Sequence, residues 1–154
     1  MQRGLVVIDD TETHRNLLEE ASRFARNTDA KLILFSWITP EQFEEQLDAL
    51  ATAEETERTS YGEFTAQEAA VQFGEKFAKE TLSKMVDDVE YEVVGDVVES
   101  DELGSMILDL AEKRGCDHAF IGGQKRSPTG KALFGDITQR VILNFDGLVT
   151  TAMD

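Results

Sequence analysis

Residues 4–12 read Gly4-Leu5-Val6-Val7-Ile8-Asp9-Asp10-Thr11-Glu12, and the four consecutive apolar β-formers at their centre decide the class of fold. A strand with one wet face alternates apolar and polar residues. Leu5–Ile8 has no polar face, so both of its sides need cover, as in a sheet flanked by helices on both faces. Downstream, Thr11 or Thr13 suits a helix N-cap, and Leu17, Leu18, Ala21, Phe24 and Ala25 recur at helical spacing until Asn27–Asp29 stops the pattern. Leu32–Phe35 then repeats the opening motif as a second buried strand, reaching Trp37 before Pro40 breaks it.

The remaining chain continues this alternation. Glu41–Glu57 places Phe43, Leu47 and Leu50 on one helical face with acidic residues around it; core packing is the simpler reading of that face, and closing a pocket or contacting a partner is the other. After a break at Thr59–Gly62, Ala66–Val86 predicts a longer helix with Ala69, Ala70, Phe73, Phe77 and Met85 facing inward. Val89, Tyr91 and Val93 alternate with acids, which predicts a strand near a sheet edge, ended by Gly95. Ser100 or Asp101 is expected to cap a helix carrying Leu103, Ile107, Leu110 and Ala111, with Gly115 as its left-handed terminator. Ala119–Ile121 forms a short buried strand running into Gly122-Gly123. A loop, a helix with Ala132, Leu133, Ile137, Val141 and Ile142 apolar, and a last strand Leu148–Met153 complete the order. Strands alternating with helices imply a mostly parallel sheet in an α/β fold, with residues 1–154 as one domain.

Composition narrows the function. The chain carries 31 acids against 15 bases, a formal charge of −16. Such a surface repels nucleic acid and anionic membranes, whose binding depends on basic groups. The acids are spread along the chain, which fits a halophilic, high-salt setting, where screening relieves their self-repulsion, better than an acidic partner-recruiting surface. No apolar run is long enough for a membrane span, and Leu5–Ile8 is too short for a signal-peptide core. The single cysteine, Cys116, allows no internal disulfide. A cytoplasmic protein is expected.

Against this acidic background, His118–Gly135 contains no acid at all. With one residue in five acidic, a gap of that length arises at a given place only about 2% of the time. It holds Gly122, Gly123, Lys125, Arg126 and Lys131 between a strand and a helix. Glycines let main-chain N–H groups approach an anion, and a helix start offers unpaired amides. The alternative is that these glycines simply turn the chain.

Gly122-x-x-Lys125, nine residues, then Gly135-Asp136-x-Thr138 resembles the nucleotide loop of the universal stress protein family, and Val6–Glu12 resembles that family's first strand and aspartate. Gly95-Asp96 and the stretch from Ala111 into Gly122 follow its usual order, so that only about residues 40–90 match loosely. The resemblance implies a five-stranded parallel sheet of order 3-2-1-4-5 with helices on both faces, and a homodimer joined through the last strand, 148–153. In some members it also implies bound ATP or AMP, with magnesium if ATP. Carried over, Ile8 and Asp9 would meet the adenine or ribose side. Gly122, Gly123, Lys125, Arg126 and Ser127 would approach ribose and phosphates, and Gly135, Asp136 and Thr138 would hold phosphates at the helix start. Two residues depart from the pattern. Lys125 stands for a glycine and adds a positive charge. Asp136 stands for a Ser/Thr hydroxyl and substitutes an acceptor-only anion, which is unfavourable beside phosphate by ~1 kcal/mol or more unless it caps the helix.

Two functions stay open: a non-catalytic, nucleotide-responsive stress module, at most a slow ATP hydrolase, or a dimeric scaffold that has lost the nucleotide. No Ser-His-Asp or Cys-His set is legible, and no residues are assigned as catalytic or metal-binding. His14 and His118 have no metal-type spacing, Cys116 reads as a small packed residue, Trp37 as packing, and Asp9-Asp10 as a strand end more simply than a metal pair. A phospho-accepting receiver would need a Ser/Thr ending the fourth strand and a lysine after the fifth, and both are missing. A PP-loop synthetase would need a Ser-Gly-Gly-type phosphate loop after the first strand, where Asp9–Glu12 stands instead.

Overall fold

The computed structural model describes residues 2–53, 66–83, 89–123 and 136–153. Among them the chain runs β1 (Arg3–Ile8), α1 (Glu12–Thr28), β2 (Lys31–Ile38), α2 (Pro40–Ala53), α3 (Ala66–Thr81), β3 (Glu90–Val97), a 3-10 turn (Ser100–Glu102), α4 (Leu103–Arg114), β4 (His118–Gly123), α5 (Asp136–Asn144) and β5 (Leu148–Met153). The five strands form one all-parallel sheet in the order β3-β2-β1-β4-β5. That is the order and class expected.

The apolar runs explain the layering. Successive residues of a strand point to opposite faces, and both faces of the central strands are covered. Val6 and Ile8 of β1, Leu32 and Leu34 of β2, and Phe120 of β4 pack with Leu17, Leu18 and Ala21 of α1 and Phe77 of α3. The alternate residues Leu5, Val7, Ile33, Phe35, Ala119 and Ile121 pack on the other face with Leu103, Ile107 and Ala111 of α4 and Val141 of α5. Each fully buried Leu or Ile contributes about 1.5–3 kcal/mol relative to exposure. β3 lies at the edge with its side chains mostly half-buried, as its alternation predicted.

Local signals set the helix ends. Thr11 is the cap of α1, its Oγ1 accepting the His14 N–H at 3.0 Å, and Asp29 closes the helix with a left-handed φ of 54°. Thr39 and Gln42 form a reciprocal capping box ahead of α2, with bonds of 3.2 and 3.0 Å, and Pro40 takes the first helical position. Gly115 ends α4 at φ 66°, as expected.

Several boundaries differ from the sequence reading. β2 extends one residue past Trp37, to Ile38. β3 continues through Gly95 to Val97, paired there with Ser36–Ile38 of β2; α3 lies directly on that glycine, where a Cβ would meet the Val71 nitrogen at 2.6 Å. Neither Ser100 nor Asp101 caps with its side chain; a 3-10 turn leads into α4 instead. α3 ends at Thr81, where Val86 was expected, and Ile142 is 41% exposed and so does not join the core. Phe43 packs, half-buried, against Ile38, Ala69 and Ala70. Thr59–Gly62, Met85, Ala132 and Leu133 lie outside the described residues.

Candidate functional site

The sheet opens where its strand order reverses. β1 and β4 are paired only from Gly4↔His118 to Val6↔Phe120. Beyond that rung β1 follows β2 as far as Ile8↔Ser36, and β4 follows β5 as far as Gly123↔Met153. Val7–Ile8 and Ile121–Gly123 therefore part from each other at their carboxyl ends. After β1 the chain goes on to β2 on one side of this opening, and β5 lies on the other side of β4; a reversal of strand order of this kind is where open α/β sheets hold ligands. The resulting cleft, of about 1030 Å³, is large enough for a small organic ligand.

Asp9 stands at the mouth of the cleft. Its carbonyl accepts the Thr11 N–H at 2.9 Å and its carboxylate accepts the Asp10 N–H at 2.8 Å, a turn that starts α1. Asp10 turns away to Arg15, at 2.5 Å, so the two carboxylates diverge. Among the described residues no cluster of three or more His, Cys, Asp or Glu side chains is placed to hold a metal. Ile8, expected at the ligand, is 1% exposed with its side chain in the core on the α1 side and does not line the cleft; Val7 lines the wall instead.

Opposite Asp9, Gly122 and Gly123 end β4 and line the cleft. Thr138, 5% exposed, donates its hydroxyl hydrogen to the Gly122 carbonyl at 3.0 Å and so ties the first turn of α5 to the end of β4. Asp136 opens that helix. The first N–H groups of a helix have no intrahelical partner and carry the positive end of its dipole. The structure thus brings Asp9, Gly122, Gly123 and Thr138 to one cleft. Lys125, Arg126, Ser127 and Gly135 lie outside the described residues.

Two residues read from sequence as unremarkable line the same cleft. Trp37 packs against the α4-side core and also faces the opening. His14 stands over Gly122, where an added Cβ would lie 2.6 Å from its Nε2. Its Nδ1 is hydrogen-bonded to Thr11 Oγ1 at 2.6 Å. Burial lowers the basicity of the ring, and Asp9 acts in the opposite direction more weakly. The spacing Thr11-x-x-His14 signals a cap, but nothing local announces that Gly122, 108 positions away, lies beneath the ring. Across the cleft, Asp101 precedes α4, and Arg140 of α5 donates to Ser105 Oγ at 3.0 Å.

The other groups weighed from sequence stand at the opposite end of β4. Cys116 is buried, and desolvation pushes its thiol up to about 11, leaving little thiolate at neutral pH. His118 is 4% exposed, bonded through Nε2 to Thr150 Oγ1 at 2.7 Å and stacked on Phe120 at 4.2 Å.

With this geometry in hand, comparison with known proteins gives a family match: a model described as the universal stress protein family matches residues 1–150. No curated protein sequence matches. Among solved structures, a universal stress protein from Archaeoglobus fulgidus is 19% identical, with a TM-score of 0.66 and coverage of 99% of this chain and 98% of that one. A universal stress protein solved in complex with cAMP is 16% identical, at 0.62, covering 99% and 96%. A universal stress protein from Archaeoglobus fulgidus in complex with dAMP is 15% identical, at 0.59, covering 99% and 98%.

Proposed function

The chain belongs to the universal stress protein family, and we propose that it serves there as a non-catalytic, nucleotide-responsive module that binds an adenine nucleotide in the β1–β4 cleft and acts as a homodimer. The observation that carries this reading is the convergence of Asp9, Gly122, Gly123 and the first turn of α5 where β1 and β4 part. The donor set suits the ligand. Asp9 offers a carboxylate acceptor to sugar hydroxyls, the two glycines allow close approach of main chain, and the α5 amides present donors to phosphate. Because the Thr138 hydroxyl hydrogen is committed to Gly122, its contribution to phosphate comes from the main-chain N–H. Lys125, Arg126 and Ser127 would complete the phosphate side. Magnesium would accompany ATP and is not needed for AMP. That two proteins of this fold were solved with cAMP and dAMP supports an AMP-type ligand.

The dimer would use the outer edge of β5, which pairs with no strand among the described residues. Leu148 at the start of β5 is 68% exposed, and an uncovered edge strand is the sort of surface a second copy satisfies. Sedimentation equilibrium giving a monomer at micromolar concentration would reject this part.

Saturating AMP or Mg-ATP should raise the thermal midpoint. A ligand at 100 times its Kd stabilises by about 2.7 kcal/mol, which is roughly 5–10 °C for a chain of this size. An unchanged midpoint with AMP, ADP and ATP would favour a dimeric scaffold without nucleotide. The observation on that side is the pair of acids, Asp9 and Asp101, in a cleft whose one described cation is Arg140.

A further inference from the structure

We infer that His14 is a specificity-determining residue of this cleft, its Nε2 donating a hydrogen bond to an oxyanion of the bound nucleotide. The inference rests on the proposed nucleotide reading and names the group that distinguishes a phosphorylated ligand from its parent nucleoside. Thr11 Oγ1 already accepts the His14 main-chain N–H at 3.0 Å and lies 2.6 Å from Nδ1. Both partners are satisfied when Thr11 donates its hydroxyl hydrogen to Nδ1, which leaves the ring hydrogen on Nε2. That nitrogen is the edge of the ring nearest Gly122. The glycine carbonyl is in turn held by Thr138 at the start of α5. The imidazole on α1 and the amide-bearing first turn of α5 thus flank one point at the end of β4, and an anion lying on Gly122 meets donors from both.

Charge gives this contact a pH dependence. Among the described residues, the charged groups facing the cleft are Asp9 after β1, Asp101 before α4 and Arg140 on α5. His14 supplies the imidazole among the described lining residues, the side-chain type whose charge ordinarily changes between pH 5 and 8. In the free protein burial disfavours its cationic form; an anion against Nε2 favours it. Binding should therefore tighten as the pH falls. His118, the other histidine, lies at the far end of β4 beside Thr150.

The test compares wild type with His14→Gln, folding being checked by circular dichroism, using AMP, adenosine and cyclic AMP as probes. Cyclic AMP keeps a single phosphate charge throughout the pH range and so removes ligand titration. A charge-assisted hydrogen bond predicts that His14→Gln weakens AMP and cyclic AMP by roughly tenfold or more while leaving adenosine within about twofold. Wild-type affinity for cyclic AMP should rise from pH 7 to 5.5, and the variant's should stay flat. Proton spectra of wild type supply a readout without mutation: AMP should move the His14 midpoint upward and leave that of His118 in place. Equal loss for adenosine and AMP, or an unmoved His14 midpoint, would overturn the inference while the nucleotide reading stood. No binding of any probe to wild type would overturn both.

Discussion

Replacing Gly122 with alanine separates the site from the fold. The new Cβ would lie 2.6 Å from His14 Nε2 and 2.8 Å from Cε1, against the 3.4 Å at which ordinary contact begins. The shortfall is about 0.8 Å, too large for breathing of a packed interior. What it meets is the far end of a side chain at a cleft, so the relief is rotation of His14 away from Gly122. The rotation breaks the 2.6 Å bond to Thr11 and leaves the Thr11 cap on the His14 N–H intact. One hydrogen bond near solvent is worth about 0.5–1 kcal/mol, or roughly 1–4 °C in the thermal midpoint of a chain this size. Calorimetric unfolding, paired with AMP titration monitored by the single tryptophan Trp37 at the cleft, reads both quantities. The expected result is a small loss of stability with at least tenfold weaker AMP binding. A fall of more than about 10 °C would mean that the ring cannot move and the end of β4 is part of the rigid core. Unchanged binding would mean that the ring does not share the ligand's space.

Other positions give sharper tests of single contacts. Gly95→Ala places a Cβ 2.6 Å from the Val71 nitrogen and 3.0 Å from the Ala70 carbonyl carbon; because main chain of α3 must shift, the cost is that of overpacking, about 1–3 kcal/mol in denaturant titration, with nucleotide affinity nearly kept. A cost near zero would show that α3 does not rest on β3 as described. Burial lowers the basicity of both His14 and His118, so the unfolded chain takes up their protons first; stability is full above pH 6.5 and declines as the pH falls through it. Wild type and His14→Gln share the same 31 acids, so the variant should lose less stability than wild type between pH 7.5 and 5.5, and an equal loss would contradict the burial argument. In the loop, Lys125→Glu is expected to abolish nucleotide binding and Asp136→Ser to strengthen it, through removal of an anion beside phosphate; equal affinity of the two variants by calorimetry would defeat the placement of the phosphate.

The sheet was legible because its central strands are apolar on both faces. Leu5–Ile8 and Leu32–Phe35 can be buried only between two helical layers, and they are. The cleft was legible at Asp9 and Gly122-Gly123, since ligands gather at strand ends where the order reverses. What stayed hidden depended on contacts far apart in sequence. Gly95 reads locally as a strand breaker, yet it is the space into which α3 fits. Ile8 adjoins Asp9 in sequence, but pleating turns it toward α1 and gives the cleft wall to Val7. His14 gains its place from Gly122, and no periodicity links the two. The capping box Thr39-Pro40-Glu41-Gln42 has ordinary spacing in the sequence, but Pro40 both breaks the strand pattern and opens the helix, and the break is the stronger local signal.

Amide chemical-shift mapping with AMP tests the site itself. If the nucleotide lies between β1 and β4, titration should shift the amide signals of Asp9, Gly122, Gly123 and Thr138 and the indole of Trp37, while Gly115 and Gly147, at the opposite end of the sheet, stay still. Saturating AMP that leaves the first group unmoved, or that moves only the second, would contradict the assignment of this cleft as the nucleotide site.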